Sequence, residues 1–192
     1  MTRELIPTKV IVVGLAIVAG AIAALFAIGA RDGVPVAQAA PCAKSTTPAS
    51  DLPPNAVRRA VKCQIDRLRA SRDRKRLSRN AQLQRVAQRH TAVMVKKECI
   101  KPRCPGQPSL QQRLNSSGYL DNAKRWRFAM STGCAVNARQ MVREWRKRQF
   151  HRKNMLTPRF QHIGVGIKSQ APFPDCGAST STFSALLAWR VR

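Results

Sequence analysis

Trp145-Arg146-Lys147-Arg148-Gln149-Phe150-His151-Arg152-Lys153-Asn154-Met155-Leu156 leads into Pro158, Phe160 and Ile163-Gly164-Val165-Gly166-Ile167, and the reading of these residues decides the fold. The stretch starts at the end of a helical pattern. Ala138, Met141, Val142 and Trp145 share one face of a helix expected over about Asn137 to Gln149. Ile163 to Lys168 read as a strand, and so do Phe183 to Trp189. Two further helices lie upstream. After Asn55, a candidate N-cap, Val57, Val61, Ile65 and Leu68 recur at helical spacing. From Ala81, Leu83, Val86, Ala87, His90, Val93 and Met94 repeat the pattern. Residues 99–117 begin as a loop rich in Pro and Gly and continue as a short helix through Leu110 and Leu114, ending at Gly118-Tyr119.

In order and spacing these segments resemble the CAP superfamily, the secreted fold of cysteine-rich secretory proteins, antigen 5 and plant pathogenesis-related proteins. Its bacterial members carry W-x-x-S-x-x-H-R-x-N-I-L-x-P-x-F-x-x-I-G-V-G, which the first stretch follows. Val61-Lys62-Cys63-Gln64-Ile65-Asp66-Arg67-Leu68-Arg69-Ala70 is similar to the family's L-C-L-I-N-x-x-R-A, with Asp66 where Asn is usual. Leu83 to Met94 is similar to L-x-x-A-A-x-x-H-A-x-x-M. The resemblance covers about residues 57–192. It implies an α+β fold, a three-layered α/β/α sandwich in a single domain, and it implies no one shared activity.

The 192 residues suit one domain with an N-terminal export segment. From Val10 to Ala30 the chain is apolar and uncharged, preceded by Arg3 and Lys9 and followed by Val36-Ala37-Gln38-Ala39-Ala40. That pattern describes either a cleaved secretory signal or a retained membrane anchor within residues 1–40. Both place the domain outside the cytoplasm, secreted or anchored at the cell surface. Residues 41–56 form a linker without periodicity, extended and mobile unless Cys42 is bridged. The domain follows over residues 57–192. Cys42, Cys63, Cys99, Cys104, Cys134 and Cys176 all lie beyond the export segment, so disulfides are expected, although the sequence does not choose their pairing.

Metal-binding members of the family gather two histidines and two glutamates in one cleft. Only His151, before Arg152, is clearly kept here. Pro102, between Lys101 and Arg103, stands where the first histidine would be. Phe128 to Gly133 match the family's G-E-N-I loop, and the only acid between Glu98 and Glu144 is Asp121, so that loop has no carboxylate. Glu144 lies on the right helix, and its orientation is open. No metal and no cofactor are expected on this ligand count. Nor is there a G-x-S-x-G elbow or a pair of acids inviting acid-base chemistry. His151 and Glu144 are the only catalytic candidates, for a hydrolase working in the degenerate cleft.

Positive charge is abundant instead: 35 Lys and Arg against 9 Asp and Glu, a formal charge of +26. The apolar stripes are kept while outward positions are cationic. Two clusters stand out, Arg72, Arg74, Lys75 and Arg76, then Arg143, Arg146, Lys147, Arg148, Arg152 and Lys153. Arginine's two-pronged geometry suits phosphate and carboxylate. The sequence therefore predicts an exported protein without catalytic activity that binds anionic lipid or cell-wall polymer through a basic surface. A membrane contact is expected through residues 10–30 if the anchor is kept. Nucleic acid is disfavoured by the export signal and by the few aromatics, Trp126 being the one exposed-looking stacking candidate.

Overall fold

A computed structural model describes residues 41–192. The export segment, with its choice between signal and anchor, lies outside the described residues. The elements are α1 (Pro54–Ala70), β1 (Ser78–Arg79), α2 (Ala81–Lys96), α3 (Leu110–Asn115), β2 (Arg125–Ala135), α4 (Ala138–Lys147), α5 (Gln149–Leu156), β3 (His162–Lys168) and β4 (Ser181–Val191). The strands form one sheet in the order β1-β3-β4-β2. The β1–β3 pair is parallel, and β4 is antiparallel to both β3 and β2.

Strand alternation sorts the side chains into two cores. Ile163, Val165, Ile167, Phe183, Ala185 and Leu187 pack with Val61 and Ile65 of α1, Met141 and Trp145 of α4, and Met155 of α5. Leu186, Ala188 and Met130 face the other way, against Leu83, Val86 and Ala87 of α2 and Leu114 of α3. The result is the three-layered α+β sandwich that the sequence predicts.

The Ile-Gly-Val-Gly-Ile run explains how α2 is seated. A Cβ added at Gly164 would land on the backbone of Leu83 and Gln84, and one at Gly166 on the backbone of Ala87 and Gln88. Only hydrogen at these two positions lets the helix lie directly on the strand. The contact is then bonded as well as packed. Ser184 Oγ, across from Gly166, donates to Ala87 O at 3.0 Å. Gln88 donates to Ile167 O at 2.8 Å and accepts from Ile167 N at 3.1 Å, satisfying backbone groups that no neighbouring strand reaches.

On the opposite face, the fully buried Arg69 at the end of α1 reaches four carbonyls. Nε donates to Lys75 O, Nη1 to Met155 O and Thr157 O, and Nη2 to Phe160 O, at 2.7–3.1 Å. One side chain thus fixes the C-terminal end of α1 to the C-terminal end of α5. Trp145 of α4 is tied to the sheet in a similar way, donating from Nε1 to Thr132 O at 3.0 Å.

All six cysteines are bridged: Cys42–Cys63, Cys99–Cys104 and Cys134–Cys176. The condition attached to residues 41–56 is therefore met, and that segment is not a mobile linker. Cys42, Ser45 and Ala49 are buried, Ala49 N donates to Val136 O, and Arg139 N donates to Ser45 O. Three further expectations are corrected. Helix α1 starts at Pro54 without a side-chain cap, because Pro53-Pro54 set the helical entry and Asn55 falls inside it. The helix expected to run to Gln149 breaks at Arg148, which is extended (φ −89°, ψ 123°), and α5 follows at once. The stretch matched to a G-E-N-I loop is the middle of β2, paired along its whole length with β4.

The two glycines yield a sharp prediction. Gly164→Ala and Gly166→Ala push Cβ into helix backbone that has nowhere to go, so each should lose more than about 3 kcal/mol or fail to fold. Gly133→Ala meets the flexible end of Met141 and, at 3.3 Å, Trp145 Nε1, with no helix backbone in its way, and should cost clearly less. Urea unfolding of the three variants checks this ranking.

Candidate functional site

The corner at Arg148 places Glu144 near the end of α4 and His151 in the first turn of α5. Both line one cleft of about 550 Å³, whose other walls are Thr132 to Cys134 of β2, Ile100 to Pro102, and the turn carrying Phe173, Asp175 and Cys176. His151 is half-buried, with Nδ1 3.1 Å from Ser131 Oγ. Its ring lies edge-on to Phe150, with the centroids 5.3 Å apart. Burial, then the charge of Arg148, lowers its pKa, so the imidazole is neutral near pH 7. His151 is thus at once a cleft residue and a hydrogen-bonded helix-end histidine.

Glu144 reaches the cleft rim but is already paired. Lys147 Nζ donates to it at 2.9 Å and Arg143 Nε lies 3.8 Å away. The hydrogen bond from Lys147 is the main cause of its lowered pKa. No hydrogen bond joins Glu144 to His151. Asp175 adds a second carboxylate that the sequence reading did not pick out, while Lys101 and Arg148 bring two cations to the same walls. Pro102 lines the cleft, as the resemblance placed it. Among the described residues, no three His, Cys, Asp or Glu side chains converge at metal-ligand spacing. What the cleft offers is one neutral imidazole, two separated acids and an apolar lip at Phe150, which is 59% exposed.

The ten cations singled out in the sequence are all exposed. Arg72, Arg74, Lys75 and Arg76 follow α1, Arg143, Arg146 and Lys147 lie on α4, Arg148 is at the corner, and Arg152 and Lys153 lie on α5. Among the described residues, Glu144 is the only acid that any of them pairs with, and it serves only Arg143 and Lys147. Trp126, the stacking candidate, is 41% exposed. It lines a shallow cavity of about 500 Å³ with Lys124, Arg125, Arg127, Arg159 and Trp189.

The remaining histidines are structural. His162 Nδ1 lies 2.9 Å from the Tyr119 hydroxyl. Fully buried His90 donates from Nε2 to Lys101 O at 2.8 Å and meets the Gln107 amide at 3.0 Å through Nδ1. It thereby holds the Cys99–Cys104 loop that forms one cleft wall. Burial, reinforced by Arg113, lowers its pKa from 6.5 to about 4. The unfolded chain takes up this proton first as pH falls, so the stabilisation is complete above pH 6.5 and is lost between about 6.5 and 4. That window corresponds to about 3 kcal/mol for this one group. His151 and His162 are shifted in the same direction. Denaturant midpoints measured from pH 7 to 4 should decline, and His90→Gln should flatten the decline. Parallel slopes in the two proteins would show that His90 is not its source.

The described chain matches the family model for the cysteine-rich secretory protein family over residues 64–178. Its fold is similar to that of an extracellular SCP-domain protein of Bacillus anthracis (TM-score 0.58, 16% identity, 71% of this chain and 41% of that one). It is also similar to an outer surface protein of Borrelia burgdorferi (TM-score 0.54, 18% identity, 68% and 90%). A cysteine-rich secretory protein of Staphylococcus aureus is a further match (TM-score 0.50, 14% identity, 70% and 39%). The chain therefore spans about two fifths of the Bacillus and Staphylococcus proteins. No curated protein matches by sequence.

Proposed function

The chain belongs to the cysteine-rich secretory protein family, and from that premise we propose that it is a non-catalytic extracytoplasmic domain that binds anionic envelope components, lipid or wall polymer, through its basic faces. Three disulfides fit an oxidising compartment. The observation that carries the reading is the density of exposed cations on α4, α5 and the segment after α1, with Glu144 as their single carboxylate partner among the described residues. Packing so much like charge together costs stability through self-repulsion, and a bound polyanion relieves that cost. Its affinity should fall steeply with salt, since each neutralised phosphate releases counterions.

A hydrolase acting in the cleft would need His151 oriented by a carboxylate. Here Ser131 is its partner and Glu144 is held by Lys147 and Arg143. The binding reading is tested by co-sedimentation of the purified protein with anionic vesicles, neutral vesicles and wall polymer across a salt series. Reversing charge at Arg146, Lys147 and Arg148 should lower affinity at least about tenfold and reduce the log-log salt slope by about two to three. His151→Ala should leave binding unchanged. Equal retention on neutral and anionic vesicles, or no change on charge reversal, would overturn the reading.

A further inference from the structure

Two grooves meet along α1. One, of about 510 Å³, lies between α1 and α4 and is walled by Arg67, Arg139, Arg143 and Arg146 around Leu68 and Val142. The other, of about 740 Å³, lies between α1 and the β1 segment and presents Arg59, Lys62, Arg76 and Arg79. Arg67 and Ser71 line both, so the two cavities are neighbours on either side of that ridge of the helix. All seven arginines of the two grooves are exposed.

The acids along this path are nearly absent. Asp66 is the one carboxylate that lines either groove; it is buried, paired with Lys62, and accepts the Leu77 N–H at 3.0 Å. Glu144 lies beside Arg143 from outside, at 3.8 Å. The other six arginines have no ion-pair partner among the described residues.

Shape and composition narrow the ligand. A single small anion would occupy a fraction of one groove and leave the other's charge unanswered. A flat bilayer would meet the rims of two concave channels without entering them. A chain of repeated anions can follow both, with Arg67 at the junction. The guanidinium fork takes two oxygens of one phosphate, and successive arginines along α4 can grip successive repeats. Neither groove contains an aromatic side chain on which a nucleobase could stack. Resting on the reading of the basic faces as a polyanion surface, we propose that these grooves form one track for a linear, base-free phosphate polymer.

The test measures affinity of the purified full chain for inorganic polyphosphate and for poly(glycerol phosphate), with single-stranded DNA and anionic vesicles as comparators. Arg67→Gln with Arg139→Gln removes two track cations. Lys96→Gln with Lys97→Gln removes two exposed cations at the far end of α2. None of the four side chains makes a hydrogen bond or ion pair among the described residues, so both variants should fold. The track pair should weaken polymer binding at least about tenfold and lower the log-log salt slope by about two, with the control pair within about twofold of the parent. Which polymer binds more tightly tells a mineral chain from a wall-type phosphodiester. Equal losses in both pairs overturn the track and leave a diffuse basic surface. Tighter binding to DNA, or binding to vesicles alone, overturns the ligand while that surface stands. Failure to bind any polyanion overturns the surface reading and the track together.

Discussion

Helix α2 rests backbone to backbone on β3, and the sandwich is organised around that contact. Gly164 and Gly166 provide the clearance, while Ser184 and Gln88 turn a close approach into a hydrogen-bonded one. Because side chains alternate along a strand, the same five residues present Ile163, Val165 and Ile167 to the other layer. A single short sequence thus sets the spacing of one helix and supplies the apolar floor for three others. Sliding the strand by one residue would press isoleucine and valine into the backbone of α2 and leave hydrogen facing Trp145, so the register has no near competitor.

The helical layer opposite is secured by a different means. Arg69 is buried without a carboxylate hydrogen-bonded to it, and four main-chain oxygens share its charge. Those oxygens belong to the segment between α1 and β1, to the last turn of α5 and to the stretch between α5 and β3. A guanidinium is suited to this because its donors diverge in one plane and reach several strands of chain at once. Its loss would strand several buried acceptors together.

Much of this was legible in the order of residues. The periodicity of Leu83 to Met94 placed the start of α2 at Ala81, where it is found, and Asn80 caps it by accepting from Leu83 N. Two elements escaped for identifiable reasons. Strand β2 alternates poorly, because Arg125-Trp126-Arg127 reach solvent while Met130 to Gly133 are covered on both faces. The α4–α5 corner carries no Pro or Gly, and Trp145 to Asn154 keep a helical composition straight through Arg148. The cleft was readable as a set of missing ligands. Its positive content was not: no local spacing announces that Asp175 shares the cleft walls with His151, or that the buried Ser131 is the hydrogen-bond partner of that imidazole. The charge was obvious in composition, but its arrangement around grooves depends on α4 and the β1 segment lying alongside α1.

The disulfide from Cys42 to Cys63 gives the domain a particular mechanical character. Residue 63 lies in the middle of α1, more than two turns beyond the helix start at Pro54. Tension arriving from the N-terminal side enters the fold at Cys42 and crosses a covalent bond into the centre of that helix. Its first turns are shielded from the load, so the helix cannot be peeled from its end. The load falls instead on the middle of the helix, beside Val61 and Ile65, which pack in the core. A domain wired this way would hold its arginine-lined grooves in shape while being pulled against a surface.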